Sequence, residues 1–141
     1  MTAPRQFAPT AAEIETLARA ALARLPDAFA RHLGAVVLVV EEFADEQVLR
    51  DLGIDDAFAL SGLYHGRPVG QAAATGDLPA TIHLYRRAIL DEWCTDASEG
   101  GGEALDHLVS HIVVHEVGHH FGLSDEAMHA LEEAVDATGP E

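Results

Sequence analysis

Apolar residues in the N-terminal part of the chain recur at the spacing of a helix. Residues 10–25 predict an amphipathic helix, because apolar side chains return there every three or four positions with charged residues between them. Thr10 is the expected N-cap, and Glu13 three residues later completes a capping box. Pro26 ends this helix and opens a second, shorter one over 27–33.

The middle of the chain alternates short β-favouring runs with turn formers. The apolar run 36–40 predicts a strand that is buried on both faces. Residues 59–64 and 81–85 predict two further strands, and 45–52 predicts a short helix that precedes them. Residues 71–79 combine small residues with turn formers and have no periodicity, so they predict a loop.

The C-terminal third of the chain is predominantly helical. Residues 86–93 predict one helix, and the glycine-rich segment 95–102 predicts a flexible loop after it. The longest helical pattern covers 103–121 and ends at Gly122, and Ser124 caps a last helix. This order of elements predicts an α+β fold in which helices pack on a small mixed sheet.

The composition is that of one folded, strongly acidic domain, residues 1–141. The chain has 141 residues, of which 48% are hydrophobic and 23% are charged. Asp and Glu number 24 against 8 basic residues, which gives a formal net charge of −16. Such a surface repels phosphate backbones and anionic lipids, so we expect neither nucleic acid nor a membrane as a partner.

Cysteine content and hydropathy indicate the compartment. Cys94 is the single cysteine of the sequence, so an intramolecular disulfide is impossible and nothing points to an oxidising environment. The longest apolar run, 35–40, is far shorter than the roughly 20 residues needed to span a bilayer. The first residues are too polar for a secretory signal. We expect a cytoplasmic protein, and we assume a monomer.

One segment of the longest predicted helix carries metal-binding chemistry. His115, Glu116 and His119 form the pattern H-E-x-x-H. Four residues advance a helix by about 6 Å and turn it about 40° past a full turn, so both imidazoles share one face and can chelate one ion. Glu116 lies about 100° round from His115, where it can reach a water beside the ion and act as a general base.

A catalytic zinc site generally has three protein ligands and one open position. Gly122 can turn the chain sharply, and Asp125 just beyond it could direct its carboxylate back to the ion. The whole pattern is H-E-x-x-H-x-x-G-x-x-D. A different role for Asp125 stays open, because an acidic residue is also favoured at the start of a helix by the helix dipole.

Further histidines lie on the same predicted helix. His107, His111, His115 and His119 follow one another at steps of four residues, so His111 with His115 is geometrically a second chelating pair. That pair lacks the glutamate, glycine and aspartate of the main motif. We expect His107 and His111 to support the ligands or to face solvent, and His120 to point elsewhere.

Hydrolysis of an amide generally needs a donor for the oxyanion in addition to the metal. His83, Tyr85 and Arg86 lie near the end of a predicted strand and are candidates, as is Tyr64. Packing across strands and ordinary surface charge are the alternative roles of these residues. The strand 81–85 could instead present an edge to which an extended peptide pairs.

The pattern over 115–125 resembles that of the compact bacterial zincin-like metallopeptidases, a small single-domain family with a "minimal zincin" fold. Similarities at 25–29, at 36–42 and at 81–86 extend the resemblance to most of the chain. It implies a three- or four-stranded mixed sheet flanked by helices, with the motif on a helix in the C-terminal half. It also implies one Zn²⁺ per chain.

The resemblance implies zinc ligands His115, His119 and Asp125, with Glu116 as the base. The leading hypothesis is a zinc metallopeptidase, a hydrolase that cleaves amide bonds in a peptide or protein substrate. The alternative is a non-catalytic metal-binding module in which zinc stabilises the fold or a partner-binding surface. A fourth side chain on the metal, such as His111, would favour the module, and a solvent-filled position would favour the enzyme.

Overall fold

The computed structural model describes residues 8–31, 36–66, 80–98 and 104–137 of the chain. Over these residues it has six α-helices, three strands and a 3₁₀ turn at Ala57–Ala59. The helices are α1 (Ala11–Ala23), α2 (Asp27–Ala30), α3 (Glu46–Leu52), α4 (Arg86–Ser98), α5 (Leu105–Phe121) and α6 (Asp125–Ala137). The strands are β1 (Val37–Glu41), β2 (Gly62–His65) and β3 (Thr81–Tyr85). The predicted α+β class is confirmed.

The described strands form one mixed sheet in the order β1-β3-β2. Strand β1 runs parallel to β3, and β2 runs antiparallel to β3. Because β3 has a neighbour on each side, it has no free edge, and the expectation that 81–85 offers an edge to a peptide is wrong. The edges of the described sheet belong to β1 and β2.

The expectation that the strand at 36–40 is buried on both faces is also wrong. Leu38 is buried, whereas Val37 on the other face is 44% exposed. Strand β1 is an edge strand, and α1 covers one of its faces. A run of apolar residues can therefore mark a strand with one partly open face, since β-branched residues are favoured in strands for their shape as well as for burial.

Helices α1 and α5 cover one face of the sheet and form the main core with it. Ile82 and Leu84 of β3 point into this core and are fully buried, as are Ile14 of α1 and Val113 and Val117 of α5. A smaller cluster around Tyr85 and its neighbours lies on the opposite face. Helix α6 packs along α5 and closes the C-terminal part of the fold.

Local signals set most helix boundaries as predicted. The Thr10 hydroxyl accepts a hydrogen bond from the Glu13 amide at 3.1 Å, and the Ser124 hydroxyl accepts one from the Ala127 amide at 3.2 Å. Gly122 ends α5 in the left-handed conformation. These are the caps that the sequence predicts.

Two boundaries differ from the prediction. Helix α4 continues to Ser98, so the first part of the predicted loop 95–102 is helical. The strand predicted at 59–64 begins later, at Gly62, after the 3₁₀ turn. The predicted loop 71–79 and the end of the helix predicted at 27–33 lie outside the described residues. In the part of the chain that the structure describes, no helix is long and apolar enough to span a bilayer.

Candidate metal centre

Helix α5 has a line of less buried positions along its length, and this line carries histidines. Positions 108–110, 112–114 and 116–118 are buried, because α1, the sheet and α6 all pack against this helix. The positions between and after these blocks are His111, His115 and His119, of which His115 is half-buried and the other two are exposed. The four-residue spacing therefore places imidazoles along an accessible strip of an otherwise buried helix.

The end of this strip holds a group of side chains that could bind a metal ion. One ligand atom each from His115, Glu116 and His119 lie within 4.8 Å of one another. The two imidazole rings have centroids 4.7 Å apart. Glu116 is only 5% exposed, and its Oε1 lies 3.1 Å from Nδ1 of His119. The structure thus brings together the three residues of the H-E-x-x-H pattern.

Strand β2 buries Glu116 by passing very close to α5. A Cβ atom on Gly62 would lie 2.7 Å from Cγ2 of Ile112 and 3.5 Å from Cγ of Glu116. A glycine is favoured at such an approach, since a Cβ here would force the Ile112 side chain to shift. The sequence analysis missed this role of Gly62, although a glycine within a strand pattern is a signal for close backbone packing.

A second link between β2 and α5 is a pair that the sequence analysis did not connect. The hydroxyl of Tyr64 lies 2.6 Å from Nδ1 of His120, and His120 is buried. Burial raises the pKa of Tyr64 above its ordinary value, so the phenol keeps its proton. This pair ties the end of α5 to the sheet, directly beside His119. His120 points into the fold rather than along the histidine strip, as predicted.

Asp125 lies outside the group of three. It is the first residue of α6, exposed, and follows the left-handed turn at Gly122. Among the described residues, the side chains whose ligand atoms lie within 4.8 Å of one another do not include it. Its position in the first turn of α6 also suits the helix-dipole role. Its role as third ligand stays a prediction.

The structure gives the proposed donors His83 and Arg86 other partners. His83 Nδ1 lies 2.7 Å from the carboxylate of Glu41, and Arg86 contacts the Pro9 carbonyl at 2.7 Å and Glu42 at 2.8 Å. His83 alternates with two buried residues of β3 and so lies on the sheet face that points away from α5. Neither residue is brought to the metal-binding group.

Tyr85 packs in the smaller cluster on that same opposite face and is fully buried. Burial, followed by the negative charges of Glu41, Asp45 and Glu116, raises its pKa to about 12. Its hydroxyl therefore stays protonated at neutral pH, yet the side chain serves as core. Glu116 is the last of these causes, so its carboxylate acts on Tyr85 less than burial does.

His111, the other predicted supporting residue, contacts α6 instead of the group of three. Its Nδ1 lies 3.0 Å from Oε1 of Glu132. One turn earlier on α5, Nε2 of His107 lies 3.4 Å from Oδ2 of Asp136 on α6. Both contacts direct these imidazoles away from the H-E-x-x-H residues.

The chemistry of the donor set fits zinc. Two imidazoles at i and i+4 are a natural chelate for Zn²⁺, and a carboxylate beside them is the usual complement in a hydrolytic site. All three side chains come from one helix, whose geometry places them on neighbouring positions, and β2 encloses Glu116 among them. His115 and His119 can hold the ion while Glu116 remains beside it as a base.

Comparison with known proteins agrees with this fit. A family model described as zincin-like metallopeptidase matches residues 33–135, well over half of the chain. No curated protein matches the sequence significantly. The matched range includes the sheet, α5 and most of α6, and the family implies zinc binding and hydrolase chemistry. This chain belongs to the zincin-like metallopeptidase family.

Proposed function

We propose that the chain is a zinc-dependent peptidase in which Glu116 is the general base. The observation that carries the proposal is the position of the Glu116 carboxylate, buried under β2 and held 3.1 Å from the His119 ring. Burial and the contact with His119 fix this carboxylate at one place beside the two imidazoles. A purely structural site has no use for a carboxylate that is held next to the ligands but is not itself required as one.

The ligands in this proposal are His115, His119 and Asp125. When bound, zinc supplies a Lewis acid that polarises a carbonyl and lowers the pKa of water. His115 and His119 stand ready on one face of α5. Asp125 follows the Gly122 turn by three residues, and reorientation of its exposed side chain would supply the third ligand.

Glu116 moves the proton in this mechanism. Its Oε1 takes a proton from the attacking water and later delivers it to the leaving amine. The close approach of Gly62 packs β2 against the aliphatic part of the side chain and limits the space in which the carboxylate can rotate. Because Glu116 is only 5% exposed, bulk solvent has little access to its side chain.

Strand β2 is the best candidate to align a peptide substrate. It is an edge strand of the described sheet, and its first residue lies against Glu116. An extended peptide that paired with β2 would run past the buried carboxylate, with backbone hydrogen bonds supplying sequence-tolerant affinity. This role passes to β2 from β3, which lies at the centre of the sheet.

The alternative function is a metal-binding module without catalysis. A closed structural site would need a fourth side chain, for which His111 is the nearest candidate on the strip. In the structure His111 is paired with Glu132 at 3.0 Å and does not face the group of three. This contact favours an open position and hence the enzyme.

The first experiment measures metal content. Elemental mass spectrometry on protein purified without a metal-affinity tag compares the wild type with His119→Ala. We expect His119→Ala to lose one equivalent of zinc per chain relative to the wild type. His129→Ala is the matched control, because His129 also pairs with a glutamate on its own helix but is highly exposed on α6. Equal zinc content in all three proteins would contradict the assignment.

The second experiment separates the enzyme from the module. A peptide library is incubated with the zinc-loaded wild type, with Glu116→Gln and with Glu133→Gln, and cleavage is read by mass spectrometry. We expect Glu116→Gln to keep its zinc and to lose about 10²–10⁴-fold in cleavage rate. Glu133→Gln, at an exposed position, should cleave like the wild type. Zinc-loaded wild type that cleaves nothing, or Glu116→Gln with full activity, would contradict the proposed role.

A further inference from the structure

We propose that helices α5 and α6 form a second site for a transition-metal ion, built from His107, His111, Glu132 and Asp136. These residues lie apart from the H-E-x-x-H motif and take no part in the function proposed above. Each helix contributes two of them at i and i+4. The site would accept Zn²⁺ or a similar ion that prefers nitrogen together with oxygen ligands.

The two helices run antiparallel and bring the four side chains together in two pairs. His107 Nε2 lies 3.4 Å from Oδ2 of Asp136, and His111 Nδ1 lies 3.0 Å from Oε1 of Glu132. Two ligand atoms bonded to one tetrahedral zinc at 2.0–2.1 Å are about 3.3 Å apart. Each pair therefore has the separation of two ligands on one ion, but no three of these four residues have ligand atoms within 4.8 Å of one another, so side-chain rotation must bring both pairs onto the ion.

A small cleft lies between the two pairs. It leaves about 50 Å³ for solvent, and its walls are His107, Ser110, His111, Val114, Glu132 and Asp136. That space is larger than one water molecule needs, so it admits an ion with a solvent ligand. The two histidine side chains are each 52% exposed, so the rotations that bring both pairs onto one ion meet little core packing.

The charges of the cleft favour a cation. Glu132 and Asp136 are like charges at i and i+4 on α6, which is an unfavourable spacing for two carboxylates. No arginine lines the cleft, and the chain as a whole has 8 basic residues against 24 acidic ones. A divalent ion supplies the missing charge.

The ligand set determines which ion. Two imidazoles select Zn²⁺, Cu²⁺ or Ni²⁺, whereas Ca²⁺ and Mg²⁺ prefer oxygen ligands alone. Each helix presents its two donors one turn apart, so a bound ion would connect two residues of α5 to two residues of α6. Helix α6 begins at Asp125, and the link would therefore also fix the helix that carries the predicted third ligand of the first centre.

The test uses the variant His115→Ala/His119→Ala, which removes the first centre. Zn²⁺ is titrated into this variant by calorimetry at about pH 7.5, where histidine is deprotonated. We expect one equivalent to bind. Adding His107→Ala/His111→Ala should abolish binding, whereas adding His129→Ala should leave it unchanged, because the His129–Glu133 pair lies within one exposed helix. Ca²⁺ should bind far more weakly than Zn²⁺.

Three results would overturn the proposal. These are the absence of zinc binding by His115→Ala/His119→Ala, binding that survives the loss of His107 and His111, and equal binding of Ca²⁺. Circular dichroism checks the fold of each variant. If the quadruple variant does not fold, Glu132→Gln/Asp136→Asn replaces it, since these isosteric changes remove the charges while keeping the side-chain shapes. A failure here leaves the first centre untouched, because its own test is the zinc lost in His119→Ala.

Discussion

Two histidine pairs share helix α5 and the same four-residue spacing, yet their surroundings differ. His115 and His119 flank a buried glutamate that β2 presses against the helix. His107 and His111 lie more exposed and face carboxylates of α6. Spacing decides which imidazoles can chelate, and the neighbouring element decides what chemistry is available. Strand β2 encloses a buried glutamate of α5 at one end of this helix, and α6 places two carboxylates against the histidines at the other end.

The largest expected effect is the stabilisation of the fold by zinc at each histidine pair. At free zinc about 1,000-fold above its Kd, each occupied site stabilises the folded chain by about 4 kcal/mol. Urea unfolding with zinc or with a chelator measures this difference. We expect His115→Ala/His119→Ala to lose one such contribution and His107→Ala/His111→Ala to lose the other. If the urea midpoint of the wild type does not depend on zinc, zinc binding at both histidine pairs is contradicted.

The alkaline titration of Tyr85 tests its burial first and the nearby charges, including Glu116, second. Its pKa is raised from 10.0 to about 12. The unfolded chain releases this proton first, so stability is intact below pH 10 and falls by about 2–3 kcal/mol as pH rises through 12. Tyr85→Phe should flatten this decline, as measured by urea unfolding at several alkaline pH values.

The same titration distinguishes the two ends of α5. In a Tyr64→Phe background Tyr85 is the one remaining tyrosine, and ultraviolet absorbance follows its ionisation. Glu116→Gln should lower the pKa of Tyr85, because the charge of Glu116 contributes to raising it. Glu132→Gln should leave that pKa unchanged. Equal shifts from both substitutions would contradict the position of Glu116 near the end of β3.

Two glycines test how tightly each side of α5 is packed. Gly62→Ala places a methyl group 2.7 Å from Ile112 and should cost about 1–3 kcal/mol in the free energy of unfolding. Gly118→Ala meets Met128, also at 2.7 Å, but that side chain is flexible and alanine gains about 1 kcal/mol of helix propensity. We expect a smaller loss for Gly118→Ala in urea unfolding, and the reverse order would contradict the close crossing of β2.

The smallest expected effect concerns the link between Tyr64 and His120. Tyr64→Phe removes the hydrogen bond at 2.6 Å and should cost about 1 kcal/mol of stability, measured by thermal or urea unfolding. His129→Ala on the exposed surface of α6 is the control and should stay within about 0.5 kcal/mol of the wild type. Equal effects of the two substitutions would show that the pair does not tie the sheet to α5.

Local chemistry made much of this molecule predictable from sequence. The caps at Thr10 and Ser124 and the end of α5 at Gly122 each depend on neighbours within a few residues. The three residues of the H-E-x-x-H pattern are similarly local, because helix geometry alone brings them together. The helices, the α+β class and the composition of the group of three therefore follow from short-range patterns.

The features that were not predicted depend on long-range packing, which local sequence patterns do not encode. The order of strands puts 81–85 at the centre of the sheet, and no local pattern states which strand is an edge. The approach of Gly62 to α5 and the pairing of His111 with Glu132 both depend on tertiary contacts. His83 and Arg86 are residue types that can stabilise an oxyanion. Tertiary packing, however, pairs them with Glu41, Pro9 and Glu42 instead.

The compact spacing of the metal-binding residues has a consequence for how the chain folds. His115, Glu116 and His119 require little more than one turn of helix, whereas the Tyr64–His120 contact closes a segment of 56 residues. Closing a long segment costs more entropy than closing a short one, and the first turn is the costly step in forming a helix. Zinc bound by His115 and His119 would stabilise a turn near the C-terminal end of α5 without any contact to the sheet. In zinc-loaded protein we therefore expect the three residues to come together before β2 encloses the Glu116 carboxylate.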